Sequence, residues 1–540
     1  MSMAPARPRV IEPASAAANP PIAERHVPLI VVGAGPAGLA AALTAAKAGI
    51  ETLIVDEHPV AGALMGLDVP FHFGGRMSAA VQQKARMVEQ LVETNPGLAE
   101  AFERGIAVEL GTYVWGAFAR GPTVRALPRP MLGLADDERS WLVSFDRLVV
   151  AAGARDLAIG FAGWEKPGVM GAQALLTLIR RYRAFTGRRL VVLGAGALGL
   201  EVARTALEAG LEVAAIVEVE ATPRGPTALV EAMAGRGVAI LARHAVVASR
   251  GSGEVEGVVL ARLDGEGKPV AASETTIACD TVVMAIGRIP NVELLDTLGC
   301  RLVFRSERGG FVPEVDAAGA TSVSGVYAVG DCAGSDDMRL LDPVIAAAEG
   351  AQAGAAAARS LGGVPDDAAM PATTPGGEQH GYWRRWLDAA IAVGGWDVMV
   401  CQCEEVTRRE LVELRPPRYL GWGSSQLKAR DLKALAEDGH LNQDQVKRLT
   451  RAGMGPCQGR RCREQVQMLL AAASGVAVGE IPLASYRAPV RPLPLGVLWP
   501  HEEPQAMRDH WVGWFDIATQ WLPHWEKAPP HPEDEPAAGK

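Results

Sequence analysis

The segment that decides the fold is "VPLIVVGAGPAGLAAALTAAKAGIETLIVDE", residues 27–57. An apolar run precedes Gly33, Gly35 and Gly38, an Ala-rich stretch follows, and a second apolar run ends at Asp56. This order predicts a strand, a tight turn, a helix and a second parallel strand. The first glycine makes the turn, the second lets a pyrophosphate approach the backbone, and the third lets the helix pack closely on the strand.

A second copy of this pattern follows at residues 188–220, "RRLVVLGAGALGLEVARTALEAGLEVAAIVEVE", with Gly194, Gly196, Gly199 and Glu218 in the corresponding places. We interpret the pair as an internal repeat of a nucleotide-binding βαβ unit, rather than as two ordinary βα turns. The acid that ends each second strand would accept a hydrogen bond from a ribose hydroxyl, and Glu218 argues against NADP. Three alternatives stay open for the second unit: NAD(H), another adenine nucleotide, or no ligand.

Length and composition limit the class of protein. A chain of 540 residues with 49% hydrophobic and 21% charged residues is expected to be soluble and to form roughly two to four domains. Its net charge of −9 argues against nucleic acid as a partner. No apolar run is long enough to cross a bilayer, and the N-terminal segment lacks the apolar stretch of a secretory signal. We expect a cytoplasmic protein that is not transmembrane, with peripheral membrane association as an alternative.

Four of the seven cysteines lie late in the chain as C-x-C (Cys401, Cys403) and C-x4-C (Cys457, Cys462). Zinc sites usually have two to four residues between paired cysteines, whereas two close thiolate pairs suit a [2Fe-2S] cluster. Glycines and basic residues surround the second pair and would offset the negative charge of such a cluster. We therefore predict a [2Fe-2S] site, with zinc and a disulfide as the alternatives.

Three further stretches carry a resemblance: "DRLVVAAGARDL" from Asp146, "DTVVMAIGRIPN" from Asp280 and "SGVYAVGDCAG" from Ser324. With the two glycine turns, they resemble the flavoprotein disulfide reductases that have two dinucleotide folds. The resemblance implies FAD on the first fold and NAD(P)H on an inserted second fold. It implies these FAD residues: Gly33, Gly35, Pro36, Ala37, Gly38, Asp56, Glu57, Ala152, Gly153, Gly330 and Asp331. For the second fold it implies Gly194, Gly196, Gly199 and Glu218.

The chain departs from those reductases in its cysteines. They carry a redox-active cysteine pair, whereas Cys279, Cys300 and Cys332 are isolated here and no C-x-x-C or C-x4-C precedes residue 400. Thiol–disulfide chemistry is therefore not expected, and these three thiols are interpreted as small buried apolar groups. Electrons must leave the flavin by another route.

The late stretches "CQCEEVT" and "VKRLTRAGMGPCQGRRC" resemble the bacterioferritin-associated-ferredoxin type of [2Fe-2S] domain. Together with "FAGWEKPGVMGAQALL" and "SYRAPVRPLPLGVL", they are similar to the α (or A) subunits of opine oxidases, dye-linked proline and hydroxyproline dehydrogenases, and hydrogen cyanide synthase. That family implies a catalytic FAD-containing β subunit of glycine-oxidase type, a small γ subunit in some complexes, and a quinone or other acceptor. The predicted function is an FAD and [2Fe-2S] electron-transfer subunit of an amino-acid or opine dehydrogenase. A self-contained NADH:acceptor reductase and a nucleotide-binding scaffold are the alternatives, and no catalytic residue is assigned.

The predicted fold class is α/β, with two Rossmann-like domains, the second inserted into the first, and a small helical [2Fe-2S] domain. The boundaries are an N-terminal arm at 1–26, the FAD domain at 27–160 and 310–365, the NAD(P)-type domain at 161–309, a Pro/Gly-rich linker at 366–395, the [2Fe-2S] domain at 396–475 and a tail at 476–540. A periodic, Trp-containing stretch after His501 predicts a partner-docking helix in that tail.

Overall fold

A computed structural model describes residues 23–60, 74–119, 127, 129–336, 342–366, 369–370, 377–415 and 431–498. The predicted N-terminal arm and the predicted docking helix after His501 lie outside these residues, apart from the last few positions of the arm. The chain divides into two compact units, Met1–Leu493 and Pro494–Lys540. Residues 476–493, which the sequence grouped with the tail, thus belong to the larger unit.

The strands in chain order are β1 Arg25–Val32, β2 Thr52–Asp56, β3 Ala107–Leu110, β4 Tyr113–Phe118, β5 Met131–Ala135, β6 Ser140–Val150, β7 Ala154–Asp156, β8 Val169–Gly171, β9 Arg189–Leu193, β10 Glu212–Glu218, β11 Ile240–Ala242, β12 His244–Arg250, β13 Gly257–Arg262, β14 Thr275–Ala278, β15 Thr281–Met284, β16 Arg288–Pro290, β17 Leu302–Arg305, β18 Gly310–Pro313, β19 Val326–Ala328, β20 Met399–Cys401 and β21 Val406–Thr407. The helices are α1 Pro36–Lys47, α2 Lys84–Thr94, α3 Pro96–Glu103, α4 Ala172–Leu176, α5 Ala197–Glu208, α6 Thr227–Gly235, α7 Glu293–Thr297, α8 Pro343–Ser360, α9 His380–Gly394, α10 Arg408–Val412, α11 Leu432–Asp438, α12 Gln443–Thr450, α13 Arg463–Ser474 and α14 Leu495–Leu498.

The first sheet has seven strands in the order β3-β2-β1-β6-β5-β4, with β19 also paired to β6. Strands β1, β2, β3, β6 and β19 run parallel, which requires crossover connections between them. Strand β1 is apolar and buried along its second half, as a strand covered on both faces must be. The predicted strand–turn–helix–strand order of residues 27–57 is confirmed.

Helix α1 packs against α8 through small residues. A Cβ atom added to Gly350 would collide with the backbone oxygen of Ala37, and one added to Gly354 would collide with that of Ala41. These two glycines therefore allow the helix backbones to approach more closely than any larger residue would permit. This contact fixes the N-terminus of α1 beside the glycine turn.

The second sheet has the order β11-β10-β9-β15-β8 and is parallel throughout its five strands. It contains the second βαβ unit, β9–α5–β10, within the larger unit of the chain. A separate antiparallel sheet contains β12, β13 and β14. The α/β class is confirmed.

Much of the segment expected to be a linker, residues 366–395, is instead the packed helix α9. Its side chains Tyr382, Trp383, Trp386 and Leu387 are at most 4% exposed. Their spacing places them on one apolar face, which the Pro- and Gly-rich residues before the helix obscured in the sequence. Burial of three aromatic rings stabilises helix α9, so the prediction of a linker is wrong for His380–Gly394.

The region of the late cysteines is mainly helical. The short strand pair β20–β21 carries Cys401 and is followed by α10, and the loop from Arg451 to Cys462 leads into the buried helix α13. Among the described residues, none of the helices combines the length and apolar character that crossing a bilayer requires.

Candidate functional site

A cavity of about 410 Å³ opens where β1 ends, beside the first glycine turn. Many of the predicted FAD residues form its walls: Gly33, Gly35, Pro36, Asp56, Glu57, Ala152, Gly153 and Asp331. A neighbouring cavity of about 430 Å³ shares Gly35, Asp56, His58 and Arg181 with it. The two together form a long cleft over the N-terminus of α1, where helix dipole and free amides favour a phosphate group.

The three glycines of the first turn differ in what surrounds them. Gly33 has φ +105°, and a Cβ atom on it would collide with the backbone oxygen of Ala151. A Cβ atom on Gly38 would collide with the oxygen of Gly33, whereas one on Gly35 would meet no protein atom within 4 Å. Gly33 and Gly38 are therefore required by the fold, while Gly35 leaves space in the cleft that a larger residue would fill.

Asp56 is held by two backbone amides at the end of β2. Ala34 N donates to Oδ2 at 2.5 Å and His58 N donates to Oδ1 at 2.8 Å. The neighbouring Glu57 forms an ion pair with Arg491 at 2.5 Å, and burial raises the pKa of Glu57. His58 contacts Tyr182 through Nδ1 at 2.6 Å, and burial lowers the pKa of His58 to about 4, so it is neutral at pH 7.

Asp331 faces the same cavity from a distant part of the chain. Arg288 is 4% exposed and donates from Nη1 to Asp331 Oδ2 at 2.5 Å. The adjoining Gly330 has φ +69° and lies against Ala37, whose Cβ atom would be 3.0 Å from a Cβ atom on Gly330. The structure thus brings the late Gly-Asp pair to the N-terminal turn of α1, across about three hundred residues of sequence.

The second glycine turn does not line this cleft. Gly194 has φ +108°, and a Cβ atom on Gly199 would collide with the oxygen of Gly194, as in the first unit. Glu218 is completely buried; Ala195 N donates to its Oε2 at 2.9 Å and Tyr382 Oη donates to the same atom at 2.8 Å. Burial raises the pKa of Glu218.

Several cavity residues were missed by the sequence reasoning. Arg460 and Arg491 line the cavity, as do Asn291, Glu293 and Arg180. Arg491 belongs to the stretch "SYRAPVRPLPLGVL", whose resemblance to a known family was a usable signal. Arg460 lies between Cys457 and Cys462, and its charge was assigned only to the predicted cluster.

Cys279, Cys300 and Cys332 are all buried free thiols. Burial raises the pKa of Cys279 and of Cys332 to about 12. Such thiols remain protonated at neutral pH and are poor nucleophiles, because the thiolate is the reactive form.

The late cysteines of the two loops lie beside one another in two pairs. Cys401 lies beside Cys462, and Cys403 lies beside Cys457, so that each contact joins one member of each sequence pair. Gly453 N also donates to Cys401 Sγ at 3.4 Å. Within the part of the chain that the structure describes, no three or more His, Cys, Asp or Glu side chains are grouped as a metal site.

Buried cations lie close to these thiols. Burial lowers the pKa of both Arg460 and Arg461 to about 10, because an apolar environment disfavours the charged guanidinium. Arg463 is 4% exposed, lies 3.8 Å over the ring of Tyr486, and has two nitrogens, Nε and Nη1, with no hydrogen-bond partner among the described residues. The structure therefore holds positive charge near the sulfur atoms at a cost in desolvation.

Arg155 joins the cysteine loop to the long cleft. It is 1% exposed, forms an ion pair with Glu293 at 3.1 Å and another with Glu464, and donates from Nε to the Arg460 oxygen at 3.2 Å. Glu293 and Arg460 both line the cavity. The loop between Cys457 and Cys462 is thus a wall of the cavity that contains the first glycine turn.

Comparisons with known proteins agree with this architecture. Residues 27–355 match the family model described as pyridine nucleotide-disulphide oxidoreductase, and residues 424–500 match the sarcosine oxidase A3 domain. The A chain of opine oxidase from Agrobacterium tumefaciens is 27% identical over 87% of this chain and 91% of its own length. The HcnB component of hydrogen cyanide synthase from Pseudomonas protegens is 24% identical over 89% of this chain and 99% of its own. The crystal structure of L-proline dehydrogenase from P. horikoshii aligns with a TM-score of 0.58 at 20% identity, covering 88% of this chain and 80% of that chain.

Proposed function

The chain is an oxidoreductase of the pyridine nucleotide-disulphide oxidoreductase family, and on that premise we propose that it is the FAD- and [2Fe-2S]-carrying electron-transfer subunit of an amino-acid or opine dehydrogenase. The observation that carries the proposal is the shared wall between its two predicted redox sites. Arg460 lines the cavity beside the first glycine turn and stands between Cys457 and Cys462. Two cofactors bound at these places would be neighbours.

The residues of the long cleft suit FAD. Asp56 is held by two amides at the end of β2, where a ribose would bind, and Gly35 leaves room for a pyrophosphate. The buried Arg288 holds Asp331 beside the turn of α1. FAD supplies a carrier that accepts two electrons together and releases them one at a time. Arg180, Arg460 and Arg491 add positive charge to the walls, which favours a pyrophosphate and an electron-rich ring.

The cysteine region suits an iron–sulfur cluster in its donor set and its charge. Two thiol pairs, Cys401 with Cys462 and Cys403 with Cys457, each join the two loops, a backbone amide donates to Cys401, and the buried Arg460 guanidinium lies nearby. Thiolates ligate iron in clusters of this type, and such a cluster carries one electron at a time. Arg463, with two unpaired buried nitrogens among the described residues, is placed to balance thiolate charge near Cys462.

A partner protein is proposed as the place of substrate oxidation. The relatives are named as the A chain of opine oxidase and the HcnB component of hydrogen cyanide synthase, both parts of multi-subunit enzymes. A catalytic FAD-containing β subunit is therefore the expected partner, with a quinone or similar molecule as acceptor. No observation on the described residues favours the NADH:acceptor reductase or the scaffold over this function.

Iron and acid-labile sulfide assays test the cluster. The purified full chain is expected to contain two iron and two sulfide per chain by the stoichiometry of the cluster, and Cys401→Ser should lose most of both while retaining FAD. Cys300→Ser is the matched control, because it also replaces a buried thiol but belongs to a different part of the hydrophobic core from Cys401 and Cys462. Zinc in place of iron, or an oxidised Cys401–Cys462 pair without metal, contradicts the cluster assignment.

Anaerobic reduction tests the electron-transfer role. Amino acids and opines should bleach the flavin of this chain only when the partner protein is present. Fast bleaching by NADH alone would support the reductase instead. If the chain binds FAD but neither NADH nor an amino acid or opine bleaches its flavin when the partner is bound, the scaffold function is favoured.

A further inference from the structure

We infer that helix α9 occupies the nucleotide position of the second βαβ unit, so that this unit binds neither NAD(H) nor another adenine nucleotide. The family of the chain leads one to expect a nicotinamide nucleotide there. The residues present do not fit one. The inference stands independently of the proposed function, although it removes NADH as an electron donor.

The two βαβ units of the chain provide an internal comparison. In both, the amide that follows the first glycine donates to the acid at the end of the second strand, at 2.5 Å in the first unit and 2.9 Å in the second. In both, the amide two residues after that acid donates to its other oxygen, at 2.8 and 3.0 Å. The backbone framework of a nucleotide site is therefore complete in each unit.

The units differ in what faces the acid. Asp56 of the first unit is partly exposed and forms a wall of the open cleft. Glu218 of the second unit is 0% exposed, and Tyr382 from α9 donates its hydroxyl to Oε2 at 2.8 Å. A ribose hydroxyl would donate to this same carboxylate in a dinucleotide complex. Tyr382 therefore supplies the hydrogen bond that the ribose would otherwise make, and its ring fills the adjacent space.

The glycine turn of the second unit is also covered. The amides of Arg224 and Gly225 donate to the Ala195 oxygen at 3.2 and 3.0 Å, which folds the segment after β10 back over the turn. A Cβ atom added to Gly225 would be 3.1 Å from the backbone carbon of Gly196, the glycine that must leave room for a pyrophosphate. The Arg224 guanidinium lies 4.7 Å from the centroid of the Tyr382 ring. The same segment thus closes the turn and contacts α9.

Helix α9 is part of the core rather than a loosely attached lid. Trp383 packs directly on Gly287, at which any Cβ atom would collide with the indole, and Trp383 is 1% exposed. Arg385 forms an ion pair with Glu220 at 2.5 Å, and Gln379 Nε2 donates to the Ser335 oxygen at 3.1 Å. A nucleotide could enter only by expelling several of these buried aromatic side chains into water.

Nucleotide binding to the full, FAD-loaded protein tests the inference. NADH fluorescence and ADP-ribose calorimetry should show no saturable binding up to about 1 mM, the upper end of ordinary substrate constants. Hydrogen exchange of residues 380–394 should be unchanged by NADH. Saturable binding that Glu218→Gln weakens about tenfold or more, or NADH-dependent loss of protection in α9, would overturn the inference. If added FAD displaces the bound NADH or ADP-ribose, that binding belongs to the first cleft, and this result supports the inference.

Two variants at one position sharpen the result. Tyr382→Phe keeps the ring and should remain unable to bind ADP-ribose, whereas Tyr382→Ala removes the ring and should gain measurable binding that Glu218→Gln abolishes. Equal ADP-ribose binding by wild type and Tyr382→Ala would show that the ring does not fill the site. If Tyr382→Ala does not fold, the wild-type titration and exchange measurements still decide the question.

Discussion

Replacing Arg155 by methionine tests whether the cysteine loop and the long cleft form one structural unit. Methionine is unbranched and carries no charge, so the variant leaves Glu293 and Glu464 buried without their shared cation. Both carboxylates have side chains that are only 9% exposed. Burial alone would raise the pKa of Glu293, but the charge of Arg155 helps to lower it below the ordinary value.

The expected loss follows from the contacts that disappear. Removing one partner of a buried ion pair typically costs about 3–5 kcal/mol of unfolding free energy. Arg155 also donates to the backbone oxygens of Arg460 and Pro290, both at 3.2 Å, which would lose a donor. Protonation of one of the two carboxylates would offset part of this cost, so we expect Arg155→Met to lose about 4 kcal/mol of unfolding free energy near pH 8.

The loss should depend on pH in a definite direction. In the wild type, Arg155 helps to hold the pKa of Glu293 below its ordinary value, so its removal lets burial raise that pKa. The folded variant then takes up a proton at higher pH than the folded wild type does, so its stability relative to wild type improves as the pH falls. The difference between Arg155→Met and wild type should therefore shrink between pH 8 and pH 5.

Denaturant unfolding followed by tryptophan fluorescence measures the loss, and bound FAD in the purified variant reports on the cleft. The matched control is Arg409→Met, since Arg409 pairs with Asp397 at 2.8 Å but both side chains are well exposed, and such pairs contribute at most about 1 kcal/mol. Arg155 does not join the loop and the cleft if Arg155→Met loses no more stability than Arg409→Met, or if the loss of stability grows as the pH falls.

Three further changes have defined outcomes. Gly35→Ala should fold normally but lose FAD affinity about tenfold, as measured by flavin titration. Gly38→Ala should instead lose stability, because its Cβ atom collides with the backbone. Equal folding defects in the two variants would contradict the roles assigned to these glycines. Burial lowers the pKa of His380 from 6.5 to about 4, so only the unfolded chain gains a proton near pH 5 and acid destabilises the fold. Between pH 8 and pH 5, wild type should lose about 2 kcal/mol more unfolding free energy than His380→Phe in denaturant titrations. Parallel pH profiles of the two proteins would exclude this role of His380. Arg463→Leu should lower iron retention while Arg448→Leu, on the more polar helix α12, does not, and the same iron content in both would remove Arg463 from the proposed cluster site.

Local sequence patterns were enough to locate both βαβ units. The apolar runs, glycine spacing and terminal acids place β1–α1–β2 and β9–α5–β10 close to their observed bounds. The reason is that these features act over a few residues: the glycines are fixed by backbone collisions within one turn, and the strands by their continuous apolar character. Cys279, Cys300 and Cys332 were likewise predictable as buried groups, because none of them has another cysteine close to it in the sequence.

Helix α9 shows where such patterns fail. Its apolar face was visible as Tyr382, Trp383, Trp386 and Leu387, but the composition of the preceding residues favoured a linker. Its contact with Glu218 joins residues 164 positions apart, and that of Arg155 with Glu464 joins residues 309 positions apart. No local rule connects residues at such separations.

The sequence alone determined that the chain is an α/β protein with two similar glycine turns and two late cysteine pairs, because each of these is a short-range pattern with its own physical cause. Its resemblance to known flavoproteins indicated an oxidoreductase. Only the tertiary structure decided that the first turn opens on a cleft and the second lies beneath an aromatic helix, and that Arg460 brings the cysteine loop to the wall of that cleft. The turns are nearly identical in their own residues. What distinguishes them is which distant side chains the packed core brings against the acid of each one.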